Sequence, residues 1–350
     1  MKTIKIQDAL KLENTIFIDV RTEAEYSEDH IPGAYNMPLF SDDEHKDVGT
    51  IYKMQGKHEA IQQGFDYVKD KLKNMYNDLH IKSNEYENVV LYCARGGMRS
   101  GSLANIIDTL GMSNVYKLEG GYKSYRNFVI EYFKTIMDTK EFIVLHGLTG
   151  VGKTDMLLML EEKGIDIIDL EGIAKNSGST FGFITFDEKP PSQKRFESEI
   201  FRKLYFSKSD YIFIESESRR VGSLNVPGDI YEGIIREGKH ILMECSVKNR
   251  VDRLCRDYIY RENQKNESLI ECMNKFRKRL GHAVVDHYIE LFNEGKYEEL
   301  IELYLVDYYD KLYNHSVEKY EYNIILDCND MEKALNVLID FHTKAVEGRI

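Results

Sequence analysis

A chain of 350 residues is longer than a single hydrophobic core usually supports, which predicts about two domains. Its composition, with 42% hydrophobic and 30% charged residues, is ordinary for a soluble globular protein. The formal net charge of −12 excludes generic nucleic-acid binding, because phosphate contacts need lysine and arginine, so an RNA partner requires a local basic patch. No apolar run is long enough to span a bilayer and the first residues contain no apolar secretory segment, which predicts a cytoplasmic protein without membrane contact.

The first third of the chain alternates short β-rich runs with helix-compatible stretches, a pattern typical of a parallel α/β unit. The predicted strands are TIFIDV (15–20), NVVLYC (88–93) and NVYKLEGG (114–121). A helix is predicted over 123–140 as the last element of this part. The sequence therefore predicts a first domain over residues 1–135.

The same alternation restarts in the second third of the chain. Candidate buried strands are EFIVLHG (141–147), DIIDL (166–170), YIFIES (211–216) and HILMECS (240–246), with NIILD (323–327) as one more. From about 248 to 315 the pattern is helical and rich in charge. We therefore expect a second α/β domain over residues 136–350, with a helical C-terminal part.

The segment CARGGMRS (93–100) places Cys93 at the end of a predicted strand and at the start of a glycine-rich loop. Backbone N–H groups of such a loop, with Arg95 and Arg99 beside them, favour a thiolate and bind an incoming anion. This predicts a nucleophilic Cys93 able to carry sulfur, selenium or a phosphoryl group. The alternative is an inert buried cysteine at a strand end. The predicted anion loop consists of Arg95, Gly96, Gly97, Met98, Arg99 and Ser100.

The remaining four cysteines have no comparable setting. Five cysteines in all, without CxxC spacing, argue against a disulfide framework and against a zinc site. We therefore assign Cys245, Cys255, Cys272 and Cys328 to the core as reduced thiols.

The segment GLTGVGKT (147–154) has the spacing G-x-x-x-x-G-K-[ST] between a predicted strand and a predicted helix. Its glycines let backbone N–H groups converge on phosphate oxygens at a helix N-terminus. Lys153 would reach the terminal phosphates and Thr154 a magnesium ion. The alternative is a glycine-rich turn without a ligand. The predicted phosphate-binding residues are Gly147, Gly150, Val151, Gly152, Lys153 and Thr154.

The carboxylate expected at the end of a later strand of a nucleotide hydrolase is Glu215 here, in YIFIES, rather than an aspartate. This difference weakens the case for routine nucleotide hydrolysis and leaves a phosphate or diphosphate as the predicted ligand. Arg219 and Arg220 follow the same strand. Together with Glu215 they are further candidates, ranked after the loop residues, for the phosphate-binding site.

Several runs of cations are candidates for contacts to RNA phosphates, with nearby tyrosines available for base stacking. The run RVDRLCRDYIYR (250–261) contains four arginines and two aspartates, and KFRKRLGH (275–282) adds four cations without an acid. The alternative is a solvated helix surface balanced by acids. The candidates are Lys194, Arg195, Arg219, Arg220, Arg250, Arg253, Arg256, Lys275, Arg277, Lys278 and Arg279.

The first domain resembles a rhodanese-like domain in three segments: IDVRTEAEYSEDHIPGAYNMP (18–38), YCARGGMRS (92–100) and LEGGY (118–122). A loop of seven residues closed by an arginine resembles that of rhodanese-fold phosphatases, whereas sulfur transferases of this fold have six. We interpret Asp19 and Arg21 as fold markers, and His30 and His146 as structural residues.

The whole chain resembles the tRNA 2-selenouridine synthase family, in which a rhodanese-like domain precedes a P-loop NTPase-like α/β domain. Three further segments carry this resemblance: DLEGIAKNSGSTFG (169–182), PPSQKRFESEI (190–200) and IESESRRVGS (214–223). The resemblance implies a cytoplasmic transferase that replaces the sulfur of wobble 2-thiouridine in tRNA by selenium from selenophosphate. It further implies an S-geranyl-2-thiouridine intermediate made from geranyl diphosphate.

In that interpretation Cys93 carries or positions the selenium and the P-loop binds the diphosphate, with magnesium and a selenophosphate-producing partner enzyme as further expectations. Two alternatives stay open at this point. One is a cysteine-dependent phosphatase of rhodanese fold fused to a kinase-like domain. The other is a non-catalytic module that senses sulfur species and switches with a nucleotide.

Overall fold

The structure is a computed structural model that describes residues 1–179, 181–260 and 266–349, apart from the side chains of residues 313–316. The chain divides into two compact units. The first is Met1–Tyr132 with Glu197–Glu199, and the second is Phe133–Phe196 with Ile200–Ile350. None of the described helices is long and apolar enough to cross a membrane.

The first unit contains a five-stranded parallel sheet in the order β1-β5-β4-β2-β3. Its strands are β1 (Lys2–Ile4), β2 (Thr15–Asp19), β3 (Tyr35–Asn36), β4 (Asn88–Tyr92) and β5 (Val115–Leu118). Its helices are α1 (Ile6–Ala9), α2 (Glu23–Glu28), α3 (Asp42–Met54), α4 (Lys57–Val68), α5 (Leu72–Glu85), α6 (Met98–Thr109) and α7 (Gly121–Lys134). The predicted strands β2, β4 and β5 are confirmed. The edge strands β1 and β3 were not predicted, because two or three residues are too few for a strand pattern.

The helix predicted over 123–140 is shorter than expected. The α-helix α7 ends at Lys134, and a 3₁₀ turn follows at Ile136–Asp138. The β-branched residues Thr135 and Ile136 lie at the break, and such residues lower helix propensity.

The second unit is built on a parallel sheet in the order β12-β11-β6-β8-β7, with a separate hairpin of β9 and β10. Its strands are β6 (Glu141–His146), β7 (Ile167–Ile168), β8 (Tyr211–Glu215), β9 (Arg220–Val221), β10 (Leu224–Asn225), β11 (Lys239–Glu244) and β12 (Ile324–Asp327). Because the five sheet strands are parallel, their carboxyl ends meet at one edge, where ligands of such sheets bind.

Helices cover the sheet of the second unit and continue into a helical part. They are α8 (Lys153–Glu162), α9 (Leu170–Ala174), α10 (Gln193–Tyr205), α11 (Gly228–Arg236), α12 (Val247–Tyr258), α13 (Asn266–Lys275), α14 (Arg277–Leu280), α15 (His282–Asn293), α16 (Tyr297–Tyr304), α17 (Asp310–Val317) and α18 (Met331–Val346). A π-helical turn, Leu305–Tyr309, joins α16 to α17. Helices α12 to α16 share a core of their own that includes Cys255, Cys272, Phe276, Tyr288 and Tyr304. The predicted α/β class with a helical C-terminal part is confirmed.

Candidate functional sites

Cys93 follows strand β4 directly, and the loop after it leads into helix α6. The thiol is buried, and the hydroxyl of Ser100 on the first turns of α6 donates a hydrogen bond to its Sγ at 3.2 Å. Burial raises the pKa of the Cys93 thiol, but hydrogen bonds from the Ser100 hydroxyl and from the backbone N–H groups of Ser100 and Arg95, with the charge of Arg99, outweigh it and lower the pKa overall. The loop therefore favours the thiolate.

The closing turn LEGGY packs against the backbone of the cysteine loop. The N–H of Tyr122 donates to the carbonyl oxygen of Cys93 at 2.8 Å. A Cβ atom at Gly121, where φ is +59°, would lie 2.1 Å from that same carbonyl oxygen. A Cβ at Gly96, where φ is +61°, would lie 2.9 Å from the Leu118 carbonyl oxygen. Glycine is therefore required at both positions for the turn to support the loop.

Arg99 and Arg95 have different surroundings in this loop. Arg99 forms a bidentate ion pair with Glu25, with Nη1 at 2.6 Å from Oε2 and Nη2 at 3.2 Å from Oε1. Burial raises the pKa of Glu25, but the Arg99 hydrogen bond and charge and the Thr22 N–H outweigh it and lower the pKa. Arg95 is exposed at the loop. Arg95 is therefore exposed to an incoming anion, whereas Arg99 is already paired with Glu25.

Glu25 was not among the predicted site residues. Thr22 caps helix α2, and the Glu25 carboxylate accepts the Thr22 N–H in a capping box. The sequence T-x-x-E reveals that capping role, but nothing in it reveals the contact to Arg99, 74 residues away.

Asp19 and Arg21 form a buried ion pair at the end of β2, with Nη2 and Oδ2 2.6 Å apart. Arg21 also donates to the carbonyl oxygen of Asp29 at 2.7 Å and lies over the ring of Tyr122. These contacts join the strand end to the residue after α2 and to the first turn of α7, which fits the interpretation of the pair as a fold marker.

The two predicted structural histidines have structural contacts. His30 stacks on Tyr26, and its Nδ1 lies 2.8 Å from the Tyr26 carbonyl oxygen. His146 is buried, with Nε2 2.8 Å from Nδ1 of His240. Burial, with the charges of His240 and Lys153, lowers the pKa of His146 to about 3. His146 is therefore neutral at physiological pH.

The phosphate loop runs from β6 to α8 as its spacing predicts. Gly150 and Gly152 have positive φ angles of 80° and 95°, and Gly152 caps α8 in a left-handed conformation. Lys153 Nζ lies 3.4 Å from the Gly147 carbonyl oxygen. Thr154 Oγ1 donates to Glu171 Oε2 at 3.3 Å.

A cluster of carboxylates lies beside the loop. Glu171, Glu215 and Glu217 each offer an oxygen, and these oxygens lie within 4.8 Å of one another. Burial, with the charge of Glu217, raises the pKa of Glu171 to about 8. Burial, with the charges of Glu171 and Asp169, raises the pKa of Glu215. Glu215 thus has two acidic neighbours, Glu171 and Glu217, that were not among the predicted site residues.

Arginines of helix α12 contact the phosphate loop itself. Arg250 Nε donates to the Thr149 carbonyl oxygen at 2.8 Å, and its guanidinium pairs with Asp310 at 2.6 Å. Arg253 Nη1 donates to the Gly150 carbonyl oxygen at 2.6 Å. Both arginines thus satisfy carbonyl groups of the loop and fix its backbone.

The burial of Arg250 corrects the tRNA contact predicted for it. Its side chain is 3% exposed and committed to Asp310 and the loop, so it cannot reach an RNA phosphate. Arg253 and Arg256 both pair with Asp155, at 3.0 Å and 2.9 Å, and Arg256 is 57% exposed. The spacing of Arg250, Arg253 and Arg256 by three residues indicates that they share one helix face. It does not indicate whether that face contacts solvent or protein.

We expect Arg250→Ala to lower the free energy of unfolding of the second unit by about 3 kcal/mol, because it leaves Asp310 and the Thr149 carbonyl group without their buried partner. Urea unfolding of the full chain measures this change. Arg256→Ala on the same helix is the matched control, with an expected loss of about 1 kcal/mol or less. Equal losses in the two variants would contradict the anchoring role of Arg250.

The other predicted RNA contacts lie on several elements of the second unit. Arg195 is half-buried, and Arg277 pairs with Asp286 at 2.6 Å. Arg279 contacts the Tyr308 hydroxyl. Arg261, the last arginine of the run 250–261, lies outside the described residues. The exposed candidates are Lys194, Arg219, Arg220, Lys275, Lys278 and Arg279.

A cavity of 570 Å³ opens next to the phosphate loop. Leu148 and Val151 of the loop line it together with Leu242, Met243 and Ile325 of the sheet, and Arg250 and Asp327 add polar groups. The volume lies within the range of about 300–1,000 Å³ that small-molecule sites occupy.

Ser100→Ala is expected to raise the pKa of Cys93 by about one to two units, because a hydrogen bond to a charged group contributes roughly 1.5–3 kcal/mol. The rate of Cys93 alkylation by iodoacetamide against pH, read by peptide mass, measures the shift. Ser102→Ala is the control, since the Ser102 hydroxyl donates instead to the Met98 carbonyl oxygen. Identical pH profiles for the parent and Ser100→Ala would refute this role of Ser100.

Comparisons with known proteins cover both units. The family model described as tRNA 2-selenouridine synthase AAA domain matches residues 140–344, and the model of a rhodanese-like domain matches residues 4–128. The tRNA 2-selenouridine synthase of Shewanella halifaxensis (strain HAW-EB4) is 30% identical, over 86% of this chain and 88% of that protein. The tRNA 2-selenouridine synthase of Pseudomonas syringae pv. syringae (strain B728a) is 31% identical, over 89% of this chain and 90% of that protein. A solved N-terminal domain from Clostridium difficile 630 is 65% identical, covers 37% of this chain and 98% of that chain, and has a TM-score of 0.36.

Proposed function

The chain belongs to the tRNA 2-selenouridine synthase family, whose members are enzymes acting on tRNA, and from that membership we propose a specific reaction. The protein replaces the sulfur of 2-thiouridine at the wobble position of tRNA by selenium from selenophosphate, through an S-geranyl-2-thiouridine intermediate made from geranyl diphosphate. It is thus a transferase with two co-substrates. It acts in the cytoplasm, where a selenophosphate-producing enzyme supplies the selenium donor.

The setting of Cys93 is the observation that carries this proposal. Its thiol has a lowered pKa in a loop of backbone N–H groups, with the exposed Arg95 beside it. A selenophosphate anion matches this loop in charge. Cys93 carries or positions the selenium donor, and Arg95 and Arg99 hold its phosphate oxygens. The selenium of selenophosphate forms a bond to C2 of the geranylated base, the carbon–sulfur bond breaks, and the sulfur leaves with a proton as geranylthiol. Water then cleaves the phosphorus–selenium bond and releases phosphate.

The phosphate loop supports the geranyl transfer. The sulfur of 2-thiouridine attacks the first carbon of the prenyl chain, and the carbon–oxygen bond to the diphosphate breaks. Lys153 and the loop N–H groups stabilise the negative charge that builds on the departing diphosphate. This reaction needs no nucleotide hydrolysis, which is consistent with Glu215 at the strand end. The cavity beside Leu148 and Val151 takes the apolar chain.

The exposed candidate cations of the second unit are the proposed contacts to tRNA phosphates. They are Lys194, Arg219, Arg220, Arg256, Lys275, Lys278 and Arg279. They provide local positive charge in a chain with a net charge of −12. Arg219 and Arg220 follow Glu215 by four and five residues. We assign them as contacts either to tRNA phosphates or to the departing diphosphate.

The test is to incubate the purified full chain with 2-thiouridine-containing tRNA and geranyl diphosphate, with and without selenophosphate. The tRNA is then digested, and the masses of its nucleosides are measured by mass spectrometry. We expect a mass gain of one prenyl group without selenophosphate, and replacement of sulfur by selenium with it. Unchanged nucleosides under both conditions would overturn the proposal. Hydrolysis of an aryl phosphate by the same sample would then favour the phosphatase alternative.

A further inference from the structure

The chain segment that follows helix α9 runs beside the phosphate loop. A Cβ atom at Gly178 would lie 2.8 Å from Oε2 of Glu217 and 3.2 Å from Oε1 of Glu171. The Glu171 carboxylate also accepts the hydroxyl of Thr154, a residue of the phosphate loop, at 3.3 Å. One carboxylate therefore connects the backbone of this segment to the phosphate loop.

Residues 181–184 of the same segment form a turn on the helical part of the second unit. The ring of Phe181 stacks on that of Phe276, with centroids 5.5 Å apart and 17° between the ring planes. Ile184 is 3% exposed and belongs to the core of the helical part. Its backbone N–H donates to the Phe181 carbonyl oxygen at 2.9 Å and closes the turn. Apolar contacts therefore hold the turn on both sides of Phe183.

Phe183, inside this turn, is 40% exposed although its neighbours are anchored. The ammonium group of Lys275 lies over the Phe183 ring, 5.6 Å from the centroid. Lys275 is itself about half exposed, and its contact to Glu271, at 3.9 Å, is a solvent-exposed pair that contributes little. An exposed ring held in a hydrogen-bonded turn with a cation beside it is suited to stack on an unpaired base.

The charge around this ring differs from that around an exposed tyrosine of the same helical part. Lys275 begins the run 275–282, which has four cations and no acid. Tyr260 is 59% exposed, but its hydroxyl donates to the Glu298 carboxylate at 2.5 Å, and such a charge repels RNA phosphates. Phe183 was not among the predicted RNA contacts, because a single phenylalanine in a polar segment carries no sequence signal. The fold joins it to the most cationic run of the chain.

We propose that Phe183 stacks on an unpaired base of the tRNA anticodon loop next to the wobble 2-thiouridine, and that Lys275 contacts the adjoining phosphate. This inference rests on the proposed function, which brings the wobble base to the phosphate loop. The five residues from Gly178 to Phe183 span at most about 18 Å, so a single-stranded RNA loop reaches both places. Stacking of the neighbouring base orients the wobble sulfur towards the prenyl donor, which makes Phe183 a positioning residue.

Binding of a modified RNA hairpin to the full chain tests this inference. The hairpin is a tRNA anticodon stem–loop with 2-thiouridine at the wobble position and 2-aminopurine beside it, whose fluorescence changes when the base stacks on an aromatic ring. We expect Phe183→Ala to lose this change and to bind at least about fivefold more weakly, because alanine removes the stacking surface. Phe183→Tyr should retain both properties, whereas Phe183→Leu should behave like Phe183→Ala.

Two further variants separate stacking from general effects. Phe206→Ala is the matched control, because Phe206 is another phenylalanine of the second unit, 56% exposed, with its ring edge-on to Tyr205. It should bind the hairpin like the parent. Lys275→Ala should lower the slope of log affinity against log salt concentration by about 0.7, the value for one phosphate contact to a single strand.

Parent-like affinity and fluorescence change in Phe183→Leu would overturn the inference, since leucine keeps an apolar contact but offers no ring. The comparison of leucine with tyrosine holds even if the alanine variant does not fold. Failure of the parent to bind the hairpin would also overturn the inference. If the parent modifies tRNA but its Phe183 variants bind like the parent, only the stacking role fails. If the fluorescence change depends on Phe183 but nucleosides stay unmodified, the proposed function fails and the stacking role stands.

Discussion

Replacing Cys93 by alanine is expected to abolish selenium incorporation while leaving S-geranylation of the tRNA intact. The thiolate at this position is stabilised by Ser100 and by loop N–H groups, and alanine offers no atom that can carry or position selenium. We expect a loss of at least about 10³-fold in the rate of sulfur-to-selenium replacement. The measurement is the ratio of selenium-containing to geranylated nucleoside in digested tRNA.

A matched control for this variant is Cys272→Ala, which removes a buried thiol in the core of the helical part, outside the loop. It should retain the activity of the parent. Full selenium incorporation by Cys93→Ala would contradict the proposed role of Cys93. Loss of both products would mean instead that Cys93 is also needed for geranyl transfer.

Replacing Lys153 by alanine is expected to slow geranyl transfer strongly. The departing diphosphate gains negative charge in the transition state, and the ammonium group of Lys153 is the charge that the loop sequence places closest to it. Loss of one such group lowers the rate by roughly 10²- to 10³-fold. Geranylated nucleoside formed from geranyl diphosphate without selenophosphate measures the effect, with circular dichroism to verify folding.

Two controls make this prediction specific. Lys163→Ala removes an exposed lysine just after the end of the same helix and should behave like the parent. Supplying tRNA that already contains S-geranyl-2-thiouridine should restore selenium incorporation by Lys153→Ala. Failure of that bypass would show that the phosphate loop also acts in the selenium step.

Much of the fold and of both loops could be predicted because the signals are local. The runs NVVLY and EFIVLH are short, β-rich and buried, and the structure has strands at both places. The glycines of GLTGVGKT lie where the backbone needs positive φ, which few other residues adopt. Cys93 lies at a strand end in the sequence and in the structure alike.

Contacts between distant residues could not be predicted in this way. The spacing of the arginines of α12 predicts a cationic face, but Arg250 contacts Thr149 and Asp310, which are 101 and 60 residues away. Glu25 likewise pairs with Arg99 across 74 residues. The charge and spacing of a residue do not indicate which neighbour the fold will bring to it.

The sequence by itself determined the two α/β units, the cysteine loop and the phosphate loop, since backbone propensity and glycine spacing act over a few residues. Only the tertiary structure decided which side chains surround these loops. The parallel pairing of β7 with β8 brings Glu171 to Glu215 and Glu217, and helix packing buries Arg250 behind the phosphate loop. The physical reason is that burial and charge pairing depend on distances in space, which are settled only when the strands and helices pack together.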